Sequence, residues 1–281
     1  MIISIVISVF LTKSIVKPIE KMAENFDNIE DAVPYKELRP FAFAVKEYQL
    51  EKEQNSNMRQ EFTANVSHEL KTPLTSISGY AEMIETGMAK EEDIKVFAGK
   101  IHSEAKRLLT LIADILRLSE LDEDKDGIGI PKCDTDLLET AKNAVNVLAF
   151  KAEQAGVDIS VKGEPVIIKG NKRLLEEMIY NLCDNAVKYN RKGGKVVVSV
   201  EKCDGKPQIC VADTGIGIPK EHQERIFERF YRVDKSRSKA TGGTGLGLAI
   251  VKHAAFNHNA KITLKSEPDE GTEIKVTFEK Q

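Results

Sequence analysis

Residues 67–74 read Ser-His-Glu-Leu-Lys-Thr-Pro-Leu, inside a stretch from about Phe41 to Gly87 whose pattern is helical. Leu70, Ile77 and Ile84 recur there every seven residues, with Val66, Pro73 and Tyr80 between them. A second helical stretch, from about Glu91 to Leu121, keeps the same spacing. Ile94, Ile101, Leu108 and Ile115 recur, Phe97, Leu111 and Leu118 fill the intermediate positions, and Glu104 interrupts once. Its acidic opening (Glu91, Glu92, Asp93) complements the helix dipole. Two such helices joined near Gly87 predict an all-α antiparallel hairpin. One apolar stripe per helix buries more surface by pairing with a second copy as a four-helix bundle, so a homodimer is expected.

In that heptad frame His68 falls at the position farthest from the seam and should face solvent. A lone exposed histidine is usually inert. Pro73, however, sits within the helical pattern without an amide donor, where it clashes with the carbonyl of Glu69. Such a defect costs about 3 kcal/mol in a helix interior, and beside an exposed imidazole it points to a functional kink. Thr72, four residues on, shares the face of His68, whereas Glu69 does not.

Outward from the hairpin, the chain has 281 residues, 41% apolar and 30% charged, enough for about two domains. That composition excludes a disordered, collagen-like or multi-span membrane chain. Lys and Arg number 41 against 44 Asp and Glu, a net charge of −3, so no electrostatic case exists for direct nucleic-acid binding. Cys133, Cys183, Cys203 and Cys210 are far apart and fit reduced thiols better than disulfides or a zinc site. The opening eleven residues, to Leu11, are apolar or Ser, shorter than the roughly 20 a membrane span needs. Lys13 and Lys17 follow, the pattern of the inner end of a truncated transmembrane helix over 1–16 with everything downstream cytoplasmic. A buried helix or strand is the other reading of that run.

Residues 122–127 read as a linker, after which the texture alternates. Helices are predicted near 135–155, 171–189 and 245–257, and strands near 157–162, 166–169, 195–202, 207–213, 261–266 and 273–278. This is the pattern of an α+β sandwich with a largely antiparallel sheet. On the 171–189 helix, Asn181, Asn185, Lys188 and Tyr189 make one polar stripe. A solvated face is one reading; but Asn is a poor helix former, and oxygen donors in this pattern suit phosphate-bound Mg²⁺. Residues 209–219 end an apolar strand on Asp213, followed by Gly215 and Gly217, which allow close backbone approach. Alone, that motif is often just a turn. Residues 242–248, Gly-Gly-Thr-Gly-Leu-Gly-Leu, open a helix whose free amides favour phosphate. They match neither a dinucleotide fingerprint nor a Walker loop. The polar stretch 214–244 carries Phe227, Phe230 and Tyr231 together with Arg225, Arg229, Arg232, Lys235, Arg237 and Lys239. It reads as a lid with docked aromatics and a cation for the γ-phosphate, or else as a basic patch.

The hairpin motif, preceded by Phe62-Thr-Ala-Asn-Val-Ser, resembles the H-box of bacterial sensor histidine kinases of two-component systems, and the later motifs resemble their N, G1, F and G2 boxes in order. The resemblance covers roughly residues 55–279. It implies a dimerisation and histidine phosphotransfer domain over 55–122 and a catalytic ATP-binding domain of the GHKL/Bergerat type over 128–281. It further implies that His68 accepts the γ-phosphoryl group of ATP, that Glu69 is its base, and that Thr72 orients water for phosphatase activity toward the partner. Asn185 would hold Mg²⁺ and Asp213 would read adenine. The nucleotide would also be lined by Asn181, Lys188, Tyr189, Gly215, Gly217, Phe227, Phe230, Lys235 or Arg237, and by Gly243, Thr244, Gly245, Leu246, Gly247 and Leu248. The implied partner is the receiver domain of a separate response regulator, and the implied location is the cytoplasmic membrane. Residues 17–54 resemble the start of a HAMP-type signalling linker, poorly after residue 20. Asn171 stands where the family often has Asp, and Asn259-Ala260 where Gly-Gly is common.

Two other functions share some of these features. A hydrolytic ATPase of the gyrase and MutL type needs a water-activating Glu four residues before the Mg²⁺ Asn, where this chain has Asn181. A silent ATP-binding scaffold would not need His68 and every box intact.

Overall fold

The computed structural model describes residues 2–16, 39–123, 132–233 and 243–279. The chain forms two compact units, Met1–Ser67 and His68–Gln281. In the first, α1 (Ile2–Leu11) runs into a π-helical turn, Thr12–Val16. Among the described residues, no helix is long and apolar enough to cross a membrane. Of the expected HAMP-like linker, residues 17–38 lie outside the described residues, and the rest is helical.

Helix α2 (Arg39–Glu85) continues unbroken through Pro73, so the expected kink is not a break. The proline is buried, and the Thr72 hydroxyl donates to the His68 carbonyl at 3.2 Å. Gly87, at φ 71°, turns the chain into α3 (Glu91–Glu123), and the Tyr80 and Phe97 rings meet at 5.2 Å between the two legs. The helix runs through Glu123, so the expected linker from residue 122 begins later.

The rest of the second unit is helices on a sheet. Strand β1 (Cys133–Asp136) leads into α4 (Leu137–Ala155), then β2 (Asp158–Gly163), β3 (Ile167–Gly170), α5 (Lys172–Lys188), β4 (Lys195–Cys203) and β5 (Lys206–Asp213). Helix α6 (Gly247–Asn257) and strands β6 (Lys261–Glu267) and β7 (Gly271–Thr277) complete it. The five-stranded sheet runs β2-β4-β5-β7-β6, antiparallel except for the β2–β4 pair. Strand β1, read in the sequence as the start of a helix, pairs with β3 in a separate antiparallel ribbon. Asp136 ends that strand and caps α4, its carboxylate accepting the Leu138 N–H at 2.8 Å.

Alternation makes the sheet's inner face: Val196, Val198 and Val200 on β4 are fully buried, against Ile209 and Val211 of β5. Helix α5 answers with Leu174, Leu175, Met178, Ile179, Leu182, Ala186 and Val187, its buried stripe at helical spacing. Each of the Leu, Ile, Met and Val side chains contributes about 1.5–3 kcal/mol on leaving water. Leu111 and Leu118 of α3 belong to the same core cluster, with Leu70 and Ile115 packed on its edge. The polar stripe of α5 is thereby held facing the loops at one end of the sheet.

Candidate functional site

Packing of the α5 apolar stripe leaves Asn181, Asn185, Lys188 and Tyr189 half-buried on its other side. The Asn181 amide donates to the Glu177 carbonyl at 2.9 Å, and its Oδ1 faces Gly247, where a Cβ would come within 2.8 Å of it. The first turn of α6 therefore sits directly on the Asn stripe. Lys188 Nζ lies against Gly243 and 5.4 Å from the centroid of the Tyr189 ring. Burial pulls its ammonium down to about 8, with Arg232 and Arg107 adding repulsion.

Strand β5 delivers Asp213 at its end, where its Oδ1 accepts the Gly215 N–H at 2.7 Å. Burial raises this carboxyl above the usual range, and the amides of Gly215 and Thr272 oppose the rise. The following loop is stitched to α5 by Ile216 N–H on the Tyr189 carbonyl at 3.1 Å. Gly217, at φ 66°, completes the turn.

The stretch after it is a folded arm as far as residue 233. Gln223 bridges the Ile218 and Ser266 carbonyls, Ile226 is buried, and the Tyr231 hydroxyl meets His222 Nδ1 at 2.6 Å. The N–H of Phe230 donates to Gly245 O at 2.9 Å, with Phe230 at φ 62° and Gly245 at φ 75°. A bulky residue in that region is strained, so the F and G2 segments are clamped by a contact that costs backbone energy. Leu246 is fully buried and Leu248 packs on the core, so both anchor the glycine loop. Phe227 is half-buried on the same arm. Lys235 and Arg237 lie outside the described residues.

His68 is exposed on α2, as its heptad position predicts. The Glu69 carboxylate accepts from Arg232 Nη2 at 3.0 Å and from Arg107 Nη2 at 3.4 Å. Asp114 of α3 accepts the Thr244 hydroxyl at 2.7 Å, its carboxyl raised chiefly by burial. Arg117 joins Glu120 and Glu177. Arg107, Asp114 and the pairing of Arg232 were not singled out from the sequence. They lie on helix or arm positions whose charges look like solvated surface until the fold brings distant segments together.

Residues 58–124 match the His Kinase A (phospho-acceptor) domain family, and residues 170–281 match the histidine kinase-, DNA gyrase B-, and HSP90-like ATPase family. The class these define is that of the bacterial two-component sensor histidine kinases, and the chain stands among them. It is 40% identical over 242 residues to the sensor-like histidine kinase SenX3 of Mycolicibacterium smegmatis, covering 85% of this chain and 62% of the relative. It is 31% identical over 282 residues to the sensor histidine kinase YkoH of Bacillus subtilis, covering 96% and 61%. The chain thus spans about three fifths of the length of these curated relatives. Its fold is similar to that of histidine kinase ThkA, solved in complex with the response regulator protein TrrA. The TM-score is 0.65 at 22% identity, covering 89% of this chain and 68% of that one.

Proposed function

We propose that the chain is an ATP-dependent protein-histidine kinase that phosphorylates His68 within a homodimer and passes the group to an aspartate of a separate response regulator. The observation that carries this reading is an exposed imidazole on a helical hairpin, in one chain with an Asn stripe, an Asp–Gly loop and a glycine loop gathered at one end of a sheet. A neutral imidazole nitrogen attacks the γ-phosphorus, the bond to the ADP oxygen breaks, and the imidazole N–H proton passes to the Glu69 carboxylate. The resulting phosphoramidate is reactive enough to transfer onward.

In this reading Asp213 accepts from the adenine amino group, Lys188 and Tyr189 line the nucleotide, and the amides from Gly243 to Leu248 cradle phosphate. Among the described residues no cluster of three or more His, Cys, Asp or Glu could hold a metal. Mg²⁺ takes one or two protein oxygens plus phosphates and waters. Asn185 would supply the protein oxygen, and the ion would neutralise phosphate charge. Thr72, its hydroxyl one helical turn from His68, would orient water for dephosphorylation of the partner. The complex of ThkA with its regulator supports a partner of this kind. The apolar residues of α1 support attachment to the cytoplasmic membrane through the N-terminal segment.

Incubation with γ-labelled ATP and Mg²⁺ tests the proposal. Acid-labile, alkali-stable label that vanishes in His68→Gln and in Asn185→Ala is expected. Free phosphate without labelled protein would instead indicate a hydrolytic ATPase. Thr72→Ala should keep autophosphorylation and slow removal of phosphate from the regulator.

A further inference from the structure

The loop that follows Asp213 is pinned by a single hydroxyl. Ser266, near the end of β6 and 9% exposed, accepts the Ile218 N–H at 2.8 Å and donates to the Gly271 carbonyl at 2.9 Å. Its oxygen also lies 2.9 Å from the hydroxyl of Thr272, its partner across the β6–β7 ladder. A serine has one proton to give, and Gly271 takes it, so the Thr272 hydroxyl is the donor in that third bond. The Ser266 hydroxyl is thus fully engaged, with one bond given and two accepted.

Those bonds meet where two segments cross. The loop after Asp213 lies on the turn from Glu267 to Gly271, and the two backbones touch at both ends of the crossing. A Cβ at Gly217 would come within 2.0 Å of the Glu267 carbonyl oxygen, and one at Gly271 within 2.0 Å of the Asp213 carbonyl oxygen. Between them the Asp269 N–H donates to the Ile216 carbonyl at 2.9 Å. Gln223, on the arm that follows the loop, fastens the same junction. Its Nε2 gives one proton to the Ile218 carbonyl at 2.8 Å and the other to the Ser266 carbonyl at 2.9 Å.

We infer that Ser266, fastened by Gln223, is a positioning residue for reading the nucleotide base, holding Asp213 in the orientation that accepts the adenine amino group. This rests on the assignment of Asp213 to adenine. The link runs through two amides. Asp213 stands opposite Thr272 on the β5–β7 ladder, and its carboxylate accepts from the Thr272 amide and, at 2.7 Å, from the Gly215 amide. Thr272 is tied by its hydroxyl to Ser266, and Gly215 belongs to the loop whose far end, Ile218, is tied to the same oxygen. Both amides that orient the carboxylate therefore depend on Ser266. With its own bonds spent inside the protein, Ser266 acts on the base through Asp213. A hydrogen bond weakens steeply as its angle departs from linear, so a carboxylate released from this frame loses the amino group first. The phosphate contacts assigned to Gly243–Leu248 lie on a different loop and are spared. An inosine nucleotide carries a carbonyl oxygen in place of the amino group and has no proton there for Asp213 to accept, so its binding is indifferent to Ser266.

The test is the affinity of the full chain for ADP and for inosine diphosphate, each with Mg²⁺, measured by calorimetry at fixed salt. The parent should prefer ADP. In Ser266→Ala the affinity for ADP should fall about fivefold or more, the scale of one lost hydrogen bond, with inosine diphosphate changed by less than about twofold. Gln223→Ala should act in the same sense to a smaller degree, and it carries the test if circular dichroism shows Ser266→Ala unfolded. In labelling with γ-labelled ATP the loss should appear in KM, with kcat at saturating ATP nearly unchanged. Parallel losses for both nucleotides, or a loss in kcat alone, would make the role merely structural and overturn the inference. Unchanged ADP affinity in the folded variants would overturn it as well and leave the kinase reading standing. A parent chain that binds the two nucleotides equally would overturn the assignment of Asp213 to adenine, and the inference with it.

Discussion

The Nε2 of His258 accepts the backbone N–H of Asn171 at 2.9 Å, while its Nδ1 donates to the Ala254 carbonyl at 2.7 Å. This imidazole, 6% exposed at the end of α6, fastens the first turn of α5, whose N-cap is Asn171 itself. It must be neutral to accept, and burial pushes its pKa below the ordinary value of 6.5. The unfolded chain protonates first as pH falls. The stabilisation is fully present above about pH 6.5 and is lost as pH drops through the depressed folded value. Denaturant unfolding at pH 7.5 and pH 5.5 should show this loss. In His258→Phe, which leaves the Asn171 N–H buried and unpaired, the pH dependence should shrink and stability should fall by about 1–3 kcal/mol.

The lowered pKa of Lys188, about 8, makes a second pH dependence, this time of binding. The ammonium is charged below that value and neutral above it, and only the charged form attracts phosphate. Affinity for an ATP analogue should therefore decline between pH 7 and pH 9. In Lys188→Arg, which stays protonated throughout, the decline should flatten even if the affinity at pH 7 is lower. A parallel decline in both proteins would place the titrating group elsewhere.

Two glycine positions should respond in opposite directions to alanine. Gly245 has φ 75°, and a Cβ there would lie 2.9 Å from the Phe230 backbone. Gly245→Ala should cost about 1–3 kcal/mol and weaken nucleotide binding, because the clamp between the arm and the glycine loop must open. Gly99, inside α3, has nothing within 4 Å of its added methyl. Gly99→Ala should raise stability by about 0.5–1 kcal/mol with labelling unchanged. Thermal unfolding of the pair side by side checks both signs.

The sequence was informative where local pattern and local chemistry agree. The heptads of Leu70 to Ile84 and of Ile94 to Ile115 mark the hairpin, and the Asn stripe and glycine run mark the elements that converge. Asn171 in place of the family's Asp is harmless because either side chain caps a helix, here by accepting the Leu174 N–H at 3.1 Å. Asn259 holds φ 50°, the conformation that makes glycine common there, and Asn tolerates it better than other side chains. Strand β1 was hidden because it is only four residues, Cys-Asp-Thr-Asp, two of them the strand-poor Asp, and it is ordered by pairing with β3. The ties of Glu69 to Arg232 and Asp114 to Thr244 span 163 and 130 residues, and no local spacing announces contacts at such separations.

Helix α3 carries a second apolar face outside its heptad seam. Leu111 and Leu118 are buried, at 3% and 1%, but Leu109, Ile112 and Leu116 are exposed at 68%, 40% and 61%. Those three recur at three- and four-residue steps and so form one apolar stripe. Leu74 of α2 is exposed at 58% as well. A stripe of this kind on a hairpin is costly in water and is covered when two hairpins form a four-helix bundle. Leu109→Lys combined with Leu116→Lys should therefore turn a dimer into a monomer in light scattering, with circular dichroism retained, since neither side chain serves the core of its own chain. If His68 is phosphorylated by the mate's ATP, mixing this variant with the parent should leave the variant unlabelled; if by its own, the monomer should still take label. A double variant that remains a dimer would move the interface to another face.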